Sequence, residues 1–240
     1  MSRILLIARR EFLAYFRSPL GAVVVAAALL LDGVLFYFRA MTEKLLSAEV
    51  LQQFFYDASG ITMAAAIVLA MRLLAEERQT GTITLLNTAP IRDHEIVVGK
   101  FFSAYAVLVA MTLLTVYMPL WILKHGKISL GHILVGYLGL FLLGAAALAI
   151  GVFASALSRS QVVAVIVGAA TLAGMIVMWM LARAADPPLN RFLSALALHH
   201  NNFIPFKTGV LELGSVAYYL AVTYFFLLAA TKVLEARRWR

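Results

Sequence analysis

The sequence has no cysteine, and only 13% of its 240 residues are charged. The first absence excludes disulfides, thiolate metal sites and cysteine nucleophiles together. The second excludes a water-soluble globule of this size, which carries roughly a quarter of its residues as charges. Acidic residues are scarcer than basic ones, 12 against 20, for a net charge of +8. In a soluble chain that excess would point to nucleic acid. In a chain that is 63% apolar it reads instead as charge that sets membrane orientation, with no nucleic-acid partner. A G-x-x-x-x-G-K-[ST] phosphate loop is also missing, Gly99-Lys100 being an isolated pair. No catalytic constellation stands out, so the chain reads as non-catalytic, without a metal or cofactor of its own.

What is present is long apolar runs. Six stretches, 19–38, 58–75, 101–123, 131–157, 161–182 and 213–231, are each able to cross about 30 Å of hydrocarbon as a helix. The last four contain no Asp, Glu, Lys or Arg; the first holds only Asp32 and the second only Arg72. The longest piece between them, 183–212, is too short for a soluble domain. The spacing therefore predicts an all-α polytopic membrane protein with one transmembrane domain over 1–240. With both termini on one side, thirteen of the 20 Lys and Arg residues lie there and seven opposite, which places both termini in the cytoplasm.

Arg9-Arg10-Glu11-Phe12-Leu13 matches the core of a twin-arginine export signal. Its flanks, Ala8 and Ala14, lack the usual polar and basic character, and the apolar run that follows is too long. The segment reads better as an amphipathic helix in the headgroup plane. Ile4, Leu5, Ala8, Phe12, Tyr15 and Phe16 fall on one face and Arg3, Arg10 and Arg17 on the other, leading to Pro19 at the first span.

The connection between spans two and three carries the most information. Span two continues out of the membrane through Glu76, Glu77 and Arg78. Gly81 can break that helix, and Thr82 can cap a new one. Ile83, Leu85 and Leu86 give this short helix an apolar surface before Pro90 stops it, and Asp93 is placed to cap the helix that re-enters through Gly99 and Lys100. A simple linker could be shorter and more polar, so these exposed apolar residues ask for a partner surface.

Glu76-Glu77-Arg78, Gly81-Thr82, Leu85-Leu86, Pro90 and Ile96-Val97-x-Gly99-Lys100 resemble the signature loop of ABC-2 type permeases. Within that family the likeness is greatest to the gliding-motility permease type. Arg9-Arg10-Glu11, Ser158-Arg159-Ser160-Gln161 and the Arg237-Arg238-Trp239 end add to it, and the likeness runs nearly the whole chain. The resemblance implies a bacterial inner-membrane permease of six spans, paired with a second copy or a paralogue. Two separately encoded ATPase subunits, holding ATP and magnesium, would dock from the cytoplasm. Thr82–Asn87 would be the coupling helix that enters a groove of the ATPase, with Glu76, Glu77 and Arg78 making span two and that helix move as one body. Export is the family's usual direction. A second reading stays open, an ATP-responsive membrane scaffold or anchor for gliding or cell-envelope machinery. A proton-coupled carrier fits less well, for lack of several buried ionisable residues or an inverted repeat.

Asp32 lies about 18 Å into the first span at 1.5 Å per residue. A charge in hydrocarbon costs roughly 2.5–3.5 kcal/mol, so Asp32 is expected to face protein or water, along the translocation path or at a dimer seam, unless it snorkels to the outer headgroups. Ala147, Gly151 and Ser155 form a small-residue stripe that suits internal helix packing. In 183–212, Leu189, Phe192, Leu193, Leu196 and Leu198 suit an amphipathic helix, followed by His199-His200 and Phe203-Ile204-Pro205-Phe206. Adjacent histidines diverge on a helix or strand, which argues against a metal site. In ABC-2 permeases this position holds re-entrant helices that roof the exit, so the resemblance makes Phe203, Pro205 and Phe206 candidates for an outer gate. His125 and His132 read as interfacial residues.

Overall fold

A computed structural model describes residues 3–42, 46–81 and 92–238 of the chain. All regular structure among them is helical: α1 (Arg3–Arg17), α2 (Pro19–Thr42), α3 (Ser47–Gln79), α4 (Asp93–Leu114), α5 (Tyr117–His125), α6 (Leu130–Leu157), α7 (Gln161–Ala184), α8 (Leu189–Leu196), α9 (His200–Lys207) and α10 (Leu213–Arg238). Six segments are long and apolar enough to span a membrane: α2, α3, α4 with α5, α6, α7 and α10. This is an all-α polytopic membrane protein.

The core is the pair α3 and α6. The small-residue stripe lies in it. A Cβ on Gly151 would sit 2.5 Å from the Ala70 Cβ, and one on Gly136 would run into the Phe55 ring. Close approach of the two backbones therefore requires glycine at these positions. At the stripe's end, Ser155 Oγ accepts from the Leu74 and Ala75 N–H groups at 3.1 and 2.9 Å and donates to the Met71 carbonyl at 3.0 Å. Around this pair, α2 and α7 bury little of their surface and present residues such as Leu30, Leu31, Val162 and Ile166 outward. That is the expected face of a helix solvated by lipid tails.

The predicted spans match their helices closely in four cases and depart in two. α3 starts at Ser47 rather than residue 58. Asp57, directly before the predicted start, accepts from Gln53 Nε2 at 3.0 Å and pairs with Arg39 Nε at 3.6 Å, so the helix runs on through it. The third span is two helices, α4 and α5, broken around Thr115 and Val116. Pro119 lacks the N–H that would bond the Thr115 carbonyl four residues back, and its ring crowds that carbonyl.

Two smaller expectations are corrected. Asp93 is not the cap of α4: Arg92 is, and Glu95 Oε2 accepts its N–H at 2.9 Å while Asp93 sits within the first turn. On α1, Leu5 faces outward, 51% exposed, whereas Ile7 and Glu11 join the inward face with Ile4, Ala8, Phe12 and Tyr15. The side chains of Arg3, Phe16 and Arg17 lie outside the described residues.

Candidate functional site

One end of the bundle gathers α1, the last turns of α3, the first turns of α4 and the α6–α7 turn. Here the three charges Glu76, Glu77 and Arg78 each take a separate partner. Glu76 Oε2 accepts from Arg72 Nε at 2.9 Å, and Arg72 in turn donates to Ser18 Oγ, between α1 and α2, at 2.6 Å. The Arg72 guanidinium also lies over the Tyr15 ring, 5.3 Å from its centre. Tyr15 donates its hydroxyl to the Leu69 carbonyl at 2.7 Å. Burial holds that phenol well above its ordinary range, against the lowering effect of Arg72, so it stays a neutral donor.

Glu77 meets Lys100. The Lys100 Nζ lies 2.8 Å from Glu77 Oε1 and 3.3 Å from Glu11 Oε1, and the lysine is only 2% exposed. One buried cation on α4 thus holds carboxylates from α1 and α3. Glu11 also pairs with the exposed Arg10 at 3.3 Å. α1 can lie close across α4 because position 99 is glycine; a Cβ there would sit 2.9 Å from Ile7 Cγ2. Arg78 completes the set by donating to the Ser158 carbonyl at 3.0 Å, at the C-terminus of α6 where a cation complements the helix dipole.

These contacts make a charged joint. Glu76 ties α3 to the α1–α2 elbow through Arg72, Glu77 to α4 and α1 through Lys100, and Arg78 to α6. Glu77 is no solvated helix end: its side chain is 12% exposed. Lys100 and Glu11 were missed as members of the joint. The readable signal was Lys100 at the edge of an apolar run, with Ile96, Val97, Ser103 and Ala104 at its helical neighbour positions and no acid among them. After Arg78, α3 ends at Thr80, and Gly81 takes the left-handed conformation at φ +75 that stops the helix, as expected of it. Thr82, Ile83, Leu85, Leu86 and Pro90 lie outside the described residues.

Asp32 sits in the other half of the bundle, 5% exposed, turned into its own chain. Its Oδ1 has no hydrogen-bond partner among the described residues. Asp57, with its Arg39 and Gln53 partners, lies on the neighbouring helix α3. Asp32 therefore does not snorkel.

At the far end, the segment before α10 folds back into the bundle. Phe203 and Phe206 are fully buried, and Pro205 is half-buried inside α9. Phe206 occupies the space left by Gly139, where a Cβ would overlap it. His132 Nε2 bonds the Lys207 carbonyl at 2.7 Å, and Tyr219 donates to the Leu198 carbonyl at 3.0 Å. The two histidines diverge: His199 Nε2 lies 2.7 Å from Ser59 Oγ, while His200 stacks on Trp179 at 4.1 Å. α8 forms where predicted, but Leu189 and Phe192 point outward, at 55% and 65% exposure.

Burial, with smaller contributions from His200 and Lys207, pulls His199 down from 6.5 to about 4. A folded value below the unfolded one means that stability from the neutral ring is complete above pH 6.5. It is lost as the pH falls toward 4. The pin between this segment and α3 should loosen over that interval. Ala197→Cys, buried in a chain with no other cysteine, should label faster at pH 4.5 than at pH 7 once each rate is divided by that of a free thiol at the same pH, and His199→Gln should remove most of the difference.

A sequence profile of the family described as ABC-2 family transporter protein matches residues 5–234, nearly the whole chain. No curated protein matches it. The chain belongs to that family, and so is a membrane permease component of an ABC transporter, a role that implies association with ABC ATPase subunits.

Proposed function

We propose that this ABC-2 family member is the non-catalytic permease subunit of a bacterial inner-membrane exporter, working by alternating access under the control of separate ATPase chains. ATP and magnesium belong to those partners. Residues 1–240 act as one transmembrane unit, two of which, identical or paralogous, assemble with two ATPases among membrane lipids. Both termini and the charged joint face the cytoplasm. The narrower likeness to the gliding-motility type rests on the sequence motifs.

The observation that carries this reading is the joint itself. Closure of two nucleotide-binding subunits delivers a displacement at the cytoplasmic face, and something rigid must carry it inward. Glu76, Glu77 and Arg78 clamp the end of α3 to four other elements directly before the proposed coupling helix, which begins after Gly81 at Thr82 and includes Ile83, Leu85 and Leu86, with Pro90 closing the loop. A push on that helix is then shared by α1, the α1–α2 elbow, α4 and α6. Asp32, buried in its own chain, fits a polar point on the inner side of the permease better than a seam between copies. Phe203, Pro205 and Phe206 fit a closed outer gate, held shut by the packing of Phe206 at Gly139.

The test is assembly with topology. A tagged chain expressed with its genomic neighbours should copurify an ATPase at two permeases to two ATPases. A reporter after Arg240 should be cytoplasmic, and a tag at Asn201 reachable from outside. An active complex containing one permease and no ATPase, or the reverse labelling, would overturn the reading.

A further inference from the structure

Between α1 and α4 runs a groove of about 500 Å³, open on one side. Ile4, Leu5, Ala8 and Phe12 line it from α1, and Phe102 and Ala106 from α4, with Arg9 on its wall. From Ile4 to Phe12 it follows α1 for about 12 Å at 1.5 Å per residue. The one other polar side chain in the lining, Ser103, is already used: its hydroxyl donates to the Lys100 carbonyl at 2.6 Å. Arg9 is different. It is exposed and has no ion-pair or hydrogen-bond partner among the described residues, whereas Arg10, Arg72, Arg78 and Lys100 are all paired. The groove therefore offers an apolar trough and a single unused cation.

That is the complement of an amphiphile with an anionic head. α1 lies against the flank of a membrane-spanning helix near that helix's end, the depth at which acyl chains give way to headgroups. Leu5 and Phe102, each about half exposed, form the open lip through which a chain would enter from the side. A soluble anion would gain nothing from the trough, and a zwitterionic lipid gains less from Arg9 than an anionic one, because its ammonium offsets its phosphate.

We propose that the α1–α4 groove is a binding site for one anionic phospholipid, its acyl chain along Ile4, Ala8, Phe12 and Ala106 and its phosphate on Arg9. The site adjoins the joint: Glu11, one residue before Phe12, and the carbonyl bonded by Ser103 both belong to the Lys100 cluster. A lipid seated there clamps α1 to α4 beside that cluster. The site requires only that the chain is membrane-embedded, so it stands apart from the export reading.

The full chain in neutral detergent would be titrated with phosphatidylglycerol and, separately, with phosphatidylcholine, and retained lipid counted by native mass spectrometry. We expect one phosphatidylglycerol per chain, held in preference to phosphatidylcholine. Arg9→Gln should weaken it roughly fivefold, the effect of one cation near an anionic headgroup. Arg10→Gln removes the same charge outside the trough and should change retention far less. Ala106→Phe, at an exposed position of α4, should fill the trough and abolish retention while the thermal unfolding midpoint of the lipid-free protein stays in place. Equal losses from Arg9→Gln and Arg10→Gln would reduce the effect to general surface charge and overturn the site. So would equal retention of the two lipids, or an Ala106→Phe variant that dissociates paired chains while keeping phosphatidylglycerol.

Discussion

Lys100→Met should destabilise the folded chain by about 3–5 kcal/mol, the usual loss when one partner of a buried ion pair is removed. The lysine stem and the methionine have similar length and apolar volume, so little packing is lost at a residue that is 2% exposed. What is lost is the cation that lies 2.8 Å from Glu77 and 3.3 Å from Glu11. Both carboxylates are mostly buried, at 12% and 18% side-chain exposure, and water cannot fully replace the ammonium. Adding Glu77→Gln and Glu11→Gln to Lys100→Met should restore most of the stability, because neutral amides leave no uncompensated charge. Unfolding of purified protein in mixed detergent micelles, followed by tryptophan fluorescence, reads all of these variants. A Lys100→Met protein as stable as the parent would mean that the cluster is wet and the joint is loose.

The six spanning helices are legible in the sequence because hydrocarbon leaves few options: each backbone polar group must be bonded within a helix, so an apolar run of 20 residues reads as a span. Where that reading failed, the deciding contacts were long-range. Asp57 interrupts the apolar run before residue 58, and its pairing with Arg39 on α2, with Gln53 one turn back, accounts for α3 passing through it. Pro119 can break a helix, but the hydropathy of 101–123 runs through it without a gap. In the joint, Glu76, Glu77 and Arg78 stand out in the loop motif, but their partners do not. Ser18, Lys100 and Ser158 lie far from them in sequence, and no local periodicity brings them together. The same holds for Glu11. It reads as one more charge beside Arg10, yet falls on the face shared by Ile7 and Tyr15, where Lys100 draws it inward.

Replacing Leu85 and Leu86 by Asp should separate the permease from its ATPase without unfolding it. By the proposed assignment these leucines belong to the coupling helix, whose apolar surface is docked in a groove of the partner. Burying each is worth roughly 1.5–3 kcal/mol, so two carboxylates in their place remove most of the docking energy and add charges that must be dehydrated. Two losses at the lower end of that range, about 3 kcal/mol together, weaken binding more than a hundredfold. The six spans draw their stability from lipid and from the α3–α6 core, so insertion and the midpoint of unfolding should be unchanged. Glu76→Gln with Glu77→Gln should behave in the opposite way. Docking should persist, because the helix surface is untouched, while the joint loses its pairings with Arg72 and Lys100 and transmits less of each ATPase closure. Copurification and ATP-driven activity, measured side by side for both double variants, distinguish the two roles. An Asp variant that retained full ATPase binding and activity would remove Thr82–Asn87 from the interface, and a Gln variant that lost binding would move the docking surface onto the joint.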